Sequence, residues 1–110
     1  MSSRMQRNLS LLELIYKSTP RVRRVIVNNA STDFIDSLCE IALNVLRGNI
    51  PLTDKQFALL KKKKKIIRLV ADKKVKRTKK KKTLNQSGGF LLPLLGAAIP
   101  FIISLVNRRG

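Results

Sequence analysis

The chain has no histidine and no tryptophan, a single cysteine, and only six acidic residues among 110. Without histidine, the commonest general base and the usual Cys/His zinc ligand sets are missing. The solitary Cys39 closes no internal disulfide. An intracellular, metal-free and cofactor-free chain is the expectation, and no constellation of residues points to catalysis. One tyrosine and four phenylalanines are too few for a platform on which successive bases stack. At 110 residues there is room for one small domain, and a large enzyme fold is excluded.

What the chain has in excess is positive charge: 24 Lys and Arg give a formal net charge of +18. The distribution is uneven. Residues 1–60 carry a nearly balanced mixture, whereas 61–89 hold 14 cationic side chains against the single acid Asp72. These are Lys61, Lys62, Lys63, Lys64, Lys65, Arg68, Lys73, Lys74, Lys76, Arg77, Lys79, Lys80, Lys81 and Lys82. Residues 90–110 are apolar apart from Arg108 and Arg109 near the end. The composition divides the chain into a small helical domain (1–60), a lysine-rich arm (61–89) and an apolar tail (90–110).

Periodicity makes the fold class all-α, a small domain of about four helices, with no strand alternation of useful length. A first helix is expected over about residues 4–17, with Leu9, Leu12 and Tyr16 on one face. Ser18 or Thr19 before Pro20 reads as an N-cap with proline at the first helical position, opening a second helix that ends near Asn28 or Asn29. Ser31 or Thr32 caps a third, whose stripe contains Phe34, Leu38, Ile41 and Val45, with Ile35, Ala42 and Leu46 beside it, and which stops before Gly48. Thr53 and Gln56 fit a capping box, and Leu52 with Phe57 fits a hydrophobic staple. That fourth helix continues to about residue 72 and frays where lysines multiply. Asp33, Asp36 and Glu40 lie mostly off the third helix's stripe and read as solvent-facing or intersubunit salt-bridge groups, and Cys39 reads as a small buried apolar residue.

The cationic segment calls for a polyanion. Lysine presents a compact charge suited to phosphate, whereas reading base edges favours the arginine fork. Sequence-independent binding to double-stranded DNA is therefore the leading expectation, with a localisation signal or an anionic membrane as alternatives. The uncharged run from Phe90 to Val106 spans about 25 Å as one helix, the lower limit for crossing a bilayer. Pro93, Gly96 and Pro100 interrupt it. A membrane-disturbing segment, a piece packed in an assembly and a spacer removed by processing all fit. Folding back onto the domain is disfavoured, because the run has no polar face of its own.

The order Lys79-Lys80-Lys81-Lys82, Gln86-Ser87-Gly88-Gly89, Phe90-Leu91-Leu92-Pro93 resembles the precursor of the adenovirus core peptide (pX or pre-mu). In that family a basic DNA-condensing segment precedes Gly-Gly and a Leu, Pro, Ile and Ala-rich tail. Excess lysine, the lack of histidine and the extra helical domain make an adenovirus-related element, of the Polinton (Maverick) or adintovirus type, the better match. The resemblance covers residues 61–106 and implies proteolysis after Gly89, with Gln86, Gly88, Gly89 and Phe90 forming the cleavage site. It implies a non-enzymatic virion core protein that condenses packaged DNA, located in the virion and host nucleus, with capsid or other core proteins, or further copies of itself, as partners. The alternative is a membrane-associated protein anchored through residues 90–106.

Overall fold

In the computed structural model, which describes residues 3–86 and 90–109 (108 and 109 by backbone alone), three helices start where cap chemistry puts them, at Thr19, Ser31 and Thr53. Eight helices follow in order: α1 Ser3–Arg7, α2 Leu9–Lys17, α3 Pro20–Asn28, α4 Thr32–Leu46, α5 Asp54–Lys62, α6 Lys64–Ala71, α7 Arg77–Gln86 and α8 Leu91–Arg109. The protein is all-α, with no strand among the described residues. Thr19 Oγ1 accepts from Val22 N ahead of Pro20, and Ser31 Oγ accepts from Phe34 N. The Thr53–Gln56 capping box is complete, with both reciprocal bonds formed at 3.1 and 3.0 Å. Helix α4 ends in a Schellman turn: Gly48 takes φ of 75° while its N–H bonds to Val45 O and that of Asn49 to Asn44 O.

Two expected helices are each broken once. The first divides at Asn8, whose side-chain amide donates to Arg4 O and to Asp33 Oδ2 and so ties the break to the start of α4. The fourth divides at Lys63. Leu60, Ile67, Val70 and Ala71 are buried along one face, and in an uninterrupted helix Lys63 and Lys64 would flank that face. Breaking at Lys63 (φ −109°, ψ 21°) leaves all of Lys61 to Lys65 exposed, which avoids the cost of burying an ammonium. Of the two expected staple residues, Leu52 packs against the core and Phe57 is 57% exposed. The second helix's inward face is Leu12 and Ile15, whereas Tyr16 is 45% exposed.

The main departure is at the C-terminus. The segment expected as a free tail is α8, packed along α2 and touching α1, α4 and α5. Phe90, Leu91, Leu94, Leu95, Ala97, Ala98 and Ile102 share one buried cluster with Leu12 and Ile15 of α2 and with Phe34, Ile35, Leu38, Ile41 and Ala42 of α4. The side turned to water, Leu92, Ile103 and Val106, is apolar as well. A helix apolar on all sides has no periodic stripe to announce its packing. Pro93 sits in the first turn, where no intrahelical N–H is needed, and Pro100 in the interior is exposed.

The supposed arm is not extended either. Helix α6 lies along α4, and α7 packs on α3, α4 and α6. The Cα radius of gyration is 12.9 Å, against about 13 Å for a folded chain of 100 residues. The described residues of all three segments thus pack around one core.

Burial of a large apolar side chain contributes about 1.5–3 kcal/mol, and α8 with Phe90 brings five of them: Phe90, Leu91, Leu94, Leu95 and Ile102. Together they match a typical total stability of about 5–15 kcal/mol. A chain ended at Gly89 is expected to lose its cooperative thermal transition, and Leu94→Ala to cost about 2–5 kcal/mol. Calorimetry and urea unfolding check both.

Candidate nucleic-acid interface

The 14 cationic residues expected to meet DNA fall into two groups. Lys61 to Lys65, Arg68, Lys73, Lys74, Lys76, Lys79 and Lys82 are exposed. Arg77, though itself exposed, joins Lys80 and Lys81 in bonding to the protein and holding α7 in place. The Arg77 guanidinium donates to both carboxylate oxygens of Asp36, Nε to Oδ1 at 3.0 Å and Nη2 to Oδ2 at 2.9 Å. Lys80 is only 4% exposed, and its Nζ lies 3.2 Å from Cys39 Sγ. Lys81 Nζ donates to Asn28 O and Ala30 O just past the end of α3, where a cation suits the negative end of the helix dipole. These three residues lie at i, i+3 and i+4 of one helix and share its inward side, with Leu84 completing the stripe. Four consecutive lysines thus split between roles: Lys80 and Lys81 dock the helix, while Lys79 and Lys82 point to water.

Around the α5–α6 corner the lysines have no such duty. Lys61 and Lys62 close α5, where the dipole favours them, while Lys64 and Lys65 open α6, where it does not. Five adjacent ammonium groups beside an unfavourable dipole end make this the site with most to gain from an incoming polyanion. The basic surface also reaches residues passed over in the reading by lysine runs. Arg21 and Arg24 of α3 are exposed, and α3 packs beside α7. Three arginines within Arg21 to Arg24 carried that signal; their separation from the lysine segment concealed it.

Two of these acids, Asp33 and Asp36, form salt bridges, and they do so within the chain and not between subunits. Asp33 accepts from Asn8, Arg7 and Arg4, at 3.0, 3.1 and 3.3 Å, joining α1 to the start of α4. These hydrogen bonds, that from Asn8 foremost, hold its carboxyl below the ordinary value, and the Arg77 fork does the same for Asp36. Cys39 is half-buried, not sealed in the core. Burial pushes its thiol up, partly opposed by the hydrogen bond from Lys80.

Of the expected cleavage site, Ser87, Gly88 and Gly89 lie outside the described residues. Gln86 is exposed at the end of α7, and Phe90 is fully buried. A protease that needs an extended strand across this junction would have to draw Phe90 from the core. Among the described residues no single helix is long and apolar enough to cross a membrane.

Both Asp33 and Asp36 titrate below the ordinary 3.8. Their contribution to stability is complete above that value and is lost as pH falls through their folded-state pKa values, since the unfolded chain takes up those protons first. A plot of urea midpoint against pH is expected to fall below about pH 4, with a shallower fall in Asp36→Asn. No family model, curated protein or solved structure matches this chain.

Proposed function

We propose that this chain is a non-enzymatic protein that binds double-stranded DNA without sequence preference and neutralises it, as a core component of a virion. The observation that carries the reading is the α5–α6 corner. There the helix breaks at Lys63, and all of Lys61 to Lys65 stand in water. Arg68, Lys73, Lys74, Lys76, Lys79 and Lys82 extend the exposed charge. The virion setting rests on the resemblance to the adenovirus core peptide precursor, whose order of basic segment, Gly-Gly and apolar segment this chain repeats.

The work is electrostatic and shared. Each phosphate neutralised releases condensed counterions, so about seven contacts give a slope of log K against log salt of roughly −6. Since α7 is docked through Arg77, Lys80 and Lys81, the protein presents a rigid charged surface, not an arm threaded along a groove. The fold favours the DNA reading over the membrane one, because most apolar side chains from Phe90 to Ile102 fill the core, leaving Leu92, Ile103 and Val106 on the surface.

Titration of the full chain with unrelated duplexes at several salt concentrations is expected to give that slope for each sequence. Replacing Lys61 to Lys65 together by Gln should make it about four units shallower. A flat salt dependence, a strong base preference, or displacement from DNA by anionic liposomes at equal phosphate would overturn the proposal.

A further inference from the structure

The connection between α6 and α7 crosses α4 and leaves beneath it an open cleft of about 780 Å³. Seven cationic side chains line it against the two carboxylates of Asp36 and Glu40. Arg47, Lys73, Lys74 and Lys76 are exposed at its mouth, and Cys39 and Lys80 lie within. The volume is that of a small-molecule site, and the lining carries a surplus of positive charge.

The buried lysine makes this more than a crowded surface. Lys80 is 96% withdrawn from water, and an ammonium in such a place needs strong acceptors or an anion. Its acceptor at 3.2 Å is Cys39 Sγ, and sulfur accepts weakly. The thiol is kept neutral by its own burial, so it contributes no opposing charge. The nearby Asp36 is committed through both oxygens to the Arg77 fork. The inner end of the cleft therefore brings Lys80 and Arg77 together with Asp36, with Glu40 on the same wall, and the bond to Cys39 Sγ is a weak one for a buried ammonium.

We propose that this cleft binds a compact polyphosphate anion, its inner phosphate on Lys80 and its outer ones on Lys73, Lys74, Lys76 and Arg47. This goes beyond the DNA reading and does not depend on it. A duplex can rest on the mouth, but its phosphates are fixed to a rod too wide to reach a side chain only 4% exposed. A short linear polyphosphate is narrow enough to enter and charged enough to satisfy the inner end and the mouth together.

Cys39 is the only thiol in the chain and lines the cleft, so it serves as a local reporter. With the full chain, saturating inorganic tripolyphosphate is expected to slow Cys39 alkylation by iodoacetamide at least tenfold, with one equivalent bound by calorimetry. Replacing Lys61 to Lys65 by Gln should leave that protection intact, whereas Lys80→Met should remove it. If Lys80→Met fails to fold, the exposed triple variant K73Q/K74Q/K76Q decides instead. It should melt like the parent and bind tripolyphosphate at least tenfold more weakly. Protection by tripolyphosphate supports the site whether or not a duplex also protects. Protection by duplex alone at equal phosphate would assign the cleft to backbone phosphates and overturn the compact-ligand proposal. So would tripolyphosphate binding in several equivalents without change at Cys39, or unaltered affinity in the variants.

Discussion

Burial of α8 is the interaction on which the rest of the structure depends. A chain of 110 residues with a net charge of +18 repels itself in any compact form, and its first seven helices are short, at most 15 residues each. Such helices hold little structure alone. Helix α8, 19 residues long, gives α2, α4 and α5 a common apolar surface to cover, and α1 reaches it as well. Because burial is non-directional and scales with apolar area, a helix without a polar face serves well as the central member of a small bundle. The exposed remainder at Leu92, Ile103 and Val106 is what such a helix cannot hide in so small a protein.

With the core so provided, the scarce acids and some of the abundant cations set the order of the outer helices. Asp33 gathers Arg4, Arg7 and Asn8, and so places α1. Asp36 receives Arg77 and so places the start of α7, while Lys81 fastens the same helix to the carbonyls that end α3. These are half-exposed contacts whose individual contributions are modest. Their value lies in direction: charge-assisted bonds select one orientation for a helix whose apolar contribution is little more than Leu84. The same residue type therefore has two functions within one run, and helix geometry separates them.

That division bears on how the protein meets phosphate. Cations spent on docking are unavailable to a partner, and cations held on a folded surface have lost part of the entropy that a loose arm would lose on binding. The exposed set is presented in preset positions around a body with extents of 35 × 29 × 28 Å. Charge at that density on a small body favours contact with many phosphates at once and gives no means of telling one base from another.

The sequence by itself determined the helical stretches of residues 4–72 and several of their ends, but not the helices α7 and α8. Thr19 with Pro20, Ser31, the Thr53–Gln56 box and Gly48 are local devices, each satisfied within a few residues of chain, so reading them requires no knowledge of the fold. The position of the charge was legible for the same reason, since two lysine runs mark a charged stretch whatever the fold; which of their side chains stay exposed was not, as the burial of Lys80 shows. What only the tertiary structure decided concerns residues far apart in the chain. The pairing of Asp36 with Arg77 and of Cys39 with Lys80 spans 41 residues in each case, and no local pattern encodes it. The break at Lys63 depends on the faces by which α6 meets α4 and α5 meets α8. The place of Phe90 to Val106 was open for a deeper reason. A uniformly apolar segment is equally suited to lipid, to a partner or to its own core, and the choice falls to whichever apolar surface is nearest, which here is the one presented by α2, α4 and α5.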